Sequence, residues 1–141
     1  MTNNLYSASK LYKYAIDYLS KFSSSKKNLE IILKNKIRRL RIEKKDKFLL
    51  YNIINKIIND LEKNNYINDQ NFTSSKIRTY TSQGKSRIFI KKYLLQKGVS
   101  QNIISKKLDD LDNLNYNWEF ESAKIFAIKK RLLENSTNKE K

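Results

Sequence analysis

Residues 53–61 read Ile-Ile-Asn-Lys-Ile-Ile-Asn-Asp-Leu, and residues 103–111 read Ile-Ile-Ser-Lys-Lys-Leu-Asp-Asp-Leu. The two stretches lie 50 residues apart, and the pairs Asn65-Tyr66 and Asn115-Tyr116 follow them at the same spacing. Their apolar residues recur every three or four positions, which is the period of one face of an α-helix. The sequence therefore predicts one amphipathic helix that is used twice, as in a protein built from repeats.

The helices that precede these stretches also match, but at a spacing of 61 residues. Because this spacing is 11 residues larger, we expect an insertion of that length between the second and third helices of the first copy. The insertion maps to about residues 38–48 and is strongly basic. It either prolongs the second helix by about three turns or forms a mobile basic arm. The matched positions are Ser25 with Ser86, Leu29 with Ile90, and Leu33 with Leu94.

The repeating unit is predicted to contain three helices, and no stretch sustains the alternation that is typical of a strand. We expect an all-α protein of tandem three-helix repeats, with residues 1–68 as the first repeat and residues 69–116 as the second. Residues 117–134 are expected to form the first helix of an incomplete third repeat. Residues 135–141 are polar and charged, and we expect a disordered tail there.

Several residues mark the predicted helix ends. Ser86 and Ser100 are suited to cap helix N-termini, and Gly98 stands where a left-handed residue would end a helix. Val99 can then fold back as the apolar contact that accompanies such an end. The chain has no Pro and only two Gly, which favours helices joined by short turns.

The composition indicates the class of partner and argues against catalysis. Lys and Arg number 30 against 14 Asp and Glu, a net charge of +16, which predicts a polyanionic partner. Part of the Lys excess also fits the coding bias of an A/T-rich genome. The chain has no Cys and no His, and therefore lacks the usual nucleophiles, general bases and transition-metal ligands. We expect no enzyme activity, cofactor or metal, and a soluble cytoplasmic protein without signal peptide or membrane span.

Two local motifs are rejected as sites. Gly84-Lys85-Ser86 looks like the end of a phosphate-binding loop, but Thr79 stands where that motif needs a glycine. The acidic residues Asp109, Asp110 and Asp112 point to different sides of one helix. We expect them to be solvated, or to pair with basic residues of the same chain.

The second repeat and the turn before it contain, in order, Tyr66-Ile67-Asn68-Asp69, Phe72, Arg78, Gly84, Arg87-Ile88, Leu94, Lys97-Gly98-Val99 and residues 103–108. This set of residues resembles the RecX family of recombination regulators. The resemblance lies in the order and spacing of an acidic-polar turn, an arginine helix, a glycine turn and a helix that ends in Lys-Gly-Val. It implies three-helix units in a curved, elongated array that binds along the groove of the RecA–DNA filament. It also implies inhibition of recombinase and coprotease activity, and hence a role in DNA recombination, repair and the SOS response.

The candidate contacts with the partner are basic residues. Seven lie between Lys85 and Lys107 without an intervening acid, whereas residues 109–121 hold five acids and no base. Arg78 and Arg87 are the strongest candidates, since a guanidinium can bind phosphate or carboxylate through two hydrogen bonds at once. Six aromatic residues sit mostly at core spacing, which favours packing over base stacking: Tyr12, Tyr14, Tyr18, Tyr80, Tyr93 and Trp118. The full set of candidates is Arg78, Lys85, Arg87, Lys91, Lys92, Arg38, Arg39 and Arg41.

Two other functions compete with regulation of a RecA filament. A three-helix unit also suits a sequence-tolerant DNA- or RNA-binding protein, and a helical repeat can serve as a purely protein-binding scaffold. We expect the RecA filament as partner, with single- or double-stranded DNA as a second one, and a monomer that binds no membrane or small molecule.

Overall fold

A computed structural model describes the backbone of residues 6–139 and the side chains of residues 6–132. Within that range the chain forms seven α-helices and no strand, so the predicted all-α class of helical repeats is confirmed. The helices are α1 (Ala8–Lys21), α2 (Lys26–Arg39), α3 (Lys44–Lys63), α4 (Asp69–Ser82), α5 (Arg87–Gln96), α6 (Gln101–Leu114) and α7 (Trp118–Lys139).

The chain divides into two compact units, Met1–Phe72 and Thr73–Lys141. In the first, α1, α2 and α3 pack around a core of aliphatic side chains, among them Leu11, Leu33 and Leu61. The stripe predicted on residues 54–61 lies in this core. In the second unit the buried side chains come from every helix, including Ile90, Leu94, Ile104, Leu108 and Trp118.

The predicted helix ends are confirmed. Ser86 and Ser100 each accept a hydrogen bond through the side-chain oxygen from a backbone N–H of the first turn. Gly98 has a φ of 78°, and the N–H of Val99 donates to the carbonyl of Leu94 at 3.1 Å. Val99 is buried, as expected for the apolar contact that closes such an end.

Two expectations need correction. The basic insertion is neither a longer second helix alone nor a mobile arm, because α2 ends at Arg39 and α3 already begins at Lys44. Its residues are thus shared between two helices and a short turn. The expected tail is helical as far as Lys139, while residues 140–141 lie outside the described residues. No glycine or proline after Gly98 interrupts α7.

A charged contact ties the start of α5 to the two following helices. The backbone N–H of Arg87 donates to Oε1 of Glu119 at 3.1 Å, and its guanidinium pairs with Asp112. Trp118 Nε1 donates to Asp112 Oδ1 at 2.7 Å. The hydrogen bond from Trp118, and then Arg87, lower the pKa of Asp112 below its usual value. We call these residues the α5 clasp.

The first unit contains the same arrangement at the repeat-related positions. The backbone N–H of Lys26 donates to Oδ1 of Asp69 at 2.8 Å, and its ammonium pairs with Glu62 at 2.9 Å. Lys26 stands 61 residues before Arg87, and the two acids stand 50 residues before Asp112 and Glu119. The repeat therefore preserves a set of interactions as well as a hydrophobic pattern. We call this set the α2 clasp.

Gly84 allows α7 to approach the turn between α4 and α5. Its φ is 83°, and a Cβ built there would lie 2.7 Å from the backbone nitrogen of Phe126 and 2.9 Å from the carbonyl oxygen of Ser122. The Ser122 hydroxyl donates to the carbonyl of Lys85 at 2.6 Å in the same turn. Only glycine meets both the backbone and the steric requirement.

We predict that Gly84→Ala lowers the free energy of unfolding by about 3 kcal/mol, since left-handed backbone strain and overpacking against α7 add. Gly98→Ala is the matched control, because Gly98 has the same sign of φ but is exposed. Urea unfolding of both variants measures the difference. Equal destabilisation of the two variants would show that the contact with α7 contributes nothing.

We predict that Asp112→Asn makes the protein less stable at neutral pH and less sensitive to acid. Because the pKa of Asp112 is lowered on folding, its contribution is complete above the usual carboxyl range and is lost as the pH falls through the lowered pKa. Unfolding followed by the fluorescence of Trp118, the single tryptophan, measures this between about pH 5 and about pH 2. The exposed Asp110→Asn is the control. Unchanged acid sensitivity in Asp112→Asn would contradict the assignment.

Candidate functional site

The first unit carries a cluster of cations where α2 ends and α3 begins. Arg38, Arg39 and Arg41 are exposed, and Lys47 Nζ donates to the carbonyl of Arg38 at 2.8 Å. Lys47 thereby satisfies one of the carbonyls that the end of α2 leaves without a helical partner. We call the cluster the basic corner; it comprises Arg38, Arg39, Arg41, Lys44, Lys45 and Lys47.

In the second unit, the exposed side of α5 combines cations with apolar side chains. Ile90 and Leu94 face the core, so the helical period turns Ile88, Lys92 and Leu95 toward solvent. Ile88 is 78% exposed and Leu95 is 47% exposed. Lys91 is exposed beside them, and α5 contains no acid. We call Ile88, Lys91, Lys92 and Leu95 the α5 face.

The remaining candidates differ in how far they are available to a partner. Arg78 is exposed on α4. Lys85 is half-buried, with its ammonium 4.8 Å from the centre of the Phe89 ring. Arg87 belongs to the α5 clasp, and its guanidinium also lies 5.9 Å from the Trp118 ring. Of the two arginines favoured from sequence, only Arg78 has a guanidinium outside an ion pair among the described residues.

Two features were missed from the sequence, although signals for both were present. The exposure of Ile88 follows from its place opposite the Ile90–Leu94 stripe. The pairing of Lys26 follows from its repeat relation to Arg87, once the partner of Arg87 is known. Neither is visible from residue type alone, because an isolated Ile or Lys is compatible with many environments.

The part of the chain that the structure describes shows no cluster of three or more potential metal ligands. Of the acidic residues Asp109, Asp110 and Asp112, the last pairs with Arg87 and accepts from Trp118 within the α5 clasp. Among the described helices, none combines the length and apolar character that a membrane crossing requires.

Comparisons with known proteins agree with this architecture. The family model "RecX, second three-helix domain" matches residues 68–108, which contain α4, α5 and most of α6. A solved structure, that of RecX from Lactobacillus salivarius, superposes with a TM-score of 0.65 at 27% identity. The superposition covers 98% of this chain and 78% of that one.

Two relatives named "Regulatory protein RecX" are similar in sequence. The protein from Streptococcus uberis is 44% identical over 61 residues, which are 43% of this chain and 24% of the relative. The protein from Myxococcus xanthus is 25% identical over 119 residues, which are 84% of this chain and 63% of the relative. The chain thus spans less than two thirds of either relative. The family domain, the solved structure and both relatives all carry the RecX name, and this chain is similar to RecX proteins, with residues 68–108 matching the family's second three-helix domain.

Proposed function

We propose that this protein is a non-enzymatic regulator that binds the RecA–DNA filament in the cytoplasm and inhibits its recombinase and coprotease activities. The observation that carries the proposal is the α5 face, which presents two lysines and two exposed aliphatic side chains within the region matched by the family model. This combination suits an acidic protein surface with apolar contacts better than phosphates alone.

The α5 face and the basic corner differ in composition, which suits them to different parts of the filament. The α5 face has apolar residues that gain from burial against protein. The basic corner concentrates three arginines, whose guanidinium groups bind phosphate oxygens through paired hydrogen bonds. We propose that the α5 face contacts the protein part of the filament and that the basic corner contacts acidic patches or DNA phosphates.

Binding to the filament can regulate RecA without catalysis by the regulator itself. A protein bound to a filament blocks the addition of subunits or the movements that strand exchange requires, so that one bound molecule affects many RecA subunits. The direct test is the DNA-dependent ATP hydrolysis of the cognate RecA, measured with and without this protein. Inhibition at well below equimolar amounts is expected. No effect on ATP hydrolysis together with tight DNA binding would instead favour the sequence-tolerant nucleic-acid binder. No effect of either kind would leave a protein-binding scaffold.

We predict that Lys91→Glu combined with Lys92→Glu raises the concentration for half-maximal inhibition of RecA at least about tenfold, because each change replaces attraction by repulsion. Lys13→Glu combined with Lys63→Glu is the control, since both lysines are exposed in the first unit and the change in net charge is the same. Thermal unfolding checks that both proteins are folded. Equal inhibition by the two variants would remove the α5 face from the proposal.

We further predict that replacement of Arg38, Arg39 and Arg41 by Gln weakens DNA binding and flattens its dependence on salt. Removal of one phosphate contact should reduce the slope of log K against log salt by about 0.7–0.9. A salt titration with wild type and variant measures this. A wild-type affinity that barely changes with ionic strength would contradict phosphate contact.

A further inference from the structure

The first unit contains an open cleft of about 380 Å³ that none of the proposed contacts uses. It lies between the end of α1 with the following loop and the turn that joins α3 to α4. Small-molecule sites measure about 300–1,000 Å³, so this cleft lies at the small end of that range and is large enough for one flat ring. Its lining includes Lys21, Phe22, Asn65, Tyr66, Asn68 and Asn71.

Two half-exposed aromatic rings line the cleft. Phe22 is 55% exposed and Tyr66 is 56% exposed. The Phe22 ring lies 5.0 Å from that of Tyr18, which supports it from one side. Asn65 has a φ of 63°, and the N–H of Tyr66 donates to the carbonyl of Leu61 at 2.8 Å. The turn thus holds the backbone of Tyr66 in place while its ring stays accessible.

The polar side chains of the cleft offer donors and acceptors. Among the described residues, no hydrogen bond engages the side-chain amides of Asn65 or Asn71, and no ion pair engages Lys21. A carboxamide presents a donor and an acceptor side by side, which matches the edge of a nucleobase. The ammonium of Lys21 adds a positive charge at the same cleft.

The second repeat carries a large side chain where the first has a small one. Trp118 stands 50 residues after Asn68. It is 5% exposed, and its indole packs beside Arg87 and donates to Asp112. In the first unit the corresponding Asn68 uses its oxygen to accept from the N–H of Asn71 at 3.0 Å. Asn68 is exposed and lines the cleft.

We propose that this cleft binds one unpaired nucleobase of a single-stranded nucleic acid. The base stacks against the rings of Phe22 and Tyr66, its edge bonds to the amides of Asn65 and Asn71, and Lys21 meets a neighbouring phosphate. Stacking on exposed aromatic residues is how proteins bind single strands with little sequence preference. The proposal goes beyond regulation of a recombinase and does not require a recombinase partner.

The test is the affinity of the whole protein for a fluorescein-labelled single-stranded DNA of about 15 nucleotides, followed by anisotropy. We expect Tyr66→Ala and Phe22→Ala each to weaken binding at least about fivefold, as is typical when one stacked base is released. The salt dependence should be unchanged, since neither variant alters charge. Tyr66→Phe and Phe22→Tyr should bind as the wild type does, because they keep the rings.

Phe48→Ala provides a matched control, since Phe48 is a similarly exposed aromatic residue of the first unit outside the cleft. An abasic strand with the same number of phosphates separates stacking from charge, and wild type should bind it at least about fivefold more weakly. Equal affinity for the two strands, or unchanged affinity in both alanine variants, would overturn the proposal. If the ring variants lose DNA binding and RecA is not inhibited, the cleft proposal stands and the proposed regulatory function falls.

Discussion

In each three-helix repeat, the first turn of the middle helix donates a backbone N–H to a carboxylate. The helix that follows the repeat supplies that carboxylate. A helix leaves its first N–H groups without internal partners, and here Asp69 and Glu119 accept from the N–H of Lys26 and Arg87. The side chains of the same two basic residues reach an acid on the third helix. One residue in each repeat therefore joins the starts of two helices to a third helix. Each exposed ion pair contributes little to the free energy of unfolding. The backbone hydrogen bond is directional, and it fixes how the carboxylate meets the first turn of the middle helix.

This constraint also decides which cations are available to a partner. Arg87 and Lys26 are engaged within the clasps, whereas Lys91, Lys92 and the three arginines of the basic corner remain exposed. A protein with a net charge of +16 thus uses part of its basic excess internally. The surfaces left for binding differ in kind, because the α5 face mixes lysines with aliphatic side chains and the basic corner is rich in arginine.

The two repeats share a scaffold and differ in what they add to it. In the second unit Gly84 lets α7 pack closely against the turn between α4 and α5. Trp118 is part of the α5 clasp in the same unit. In the first unit Asn68 takes the place of that tryptophan, and a cleft with exposed rings lies beside it. Similar cores with different edges allow a repeat protein to present several surfaces without a change of fold.

The sequence by itself determined the number and kind of helices, the buried stripes and the caps at Ser86, Gly98 and Ser100, because these depend on residues a few positions apart. It also indicated the resemblance to the RecX family, since the residues that carry the resemblance lie in one continuous stretch, residues 66–108. It did not determine that Arg87 pairs with Asp112, that Gly84 meets Phe126, or that the basic insertion divides between α2 and α3. These depend on contacts between residues distant in sequence, and many partners are compatible with any one charge or glycine. Only the tertiary structure selects among them, because packing of the core sets which helix ends meet.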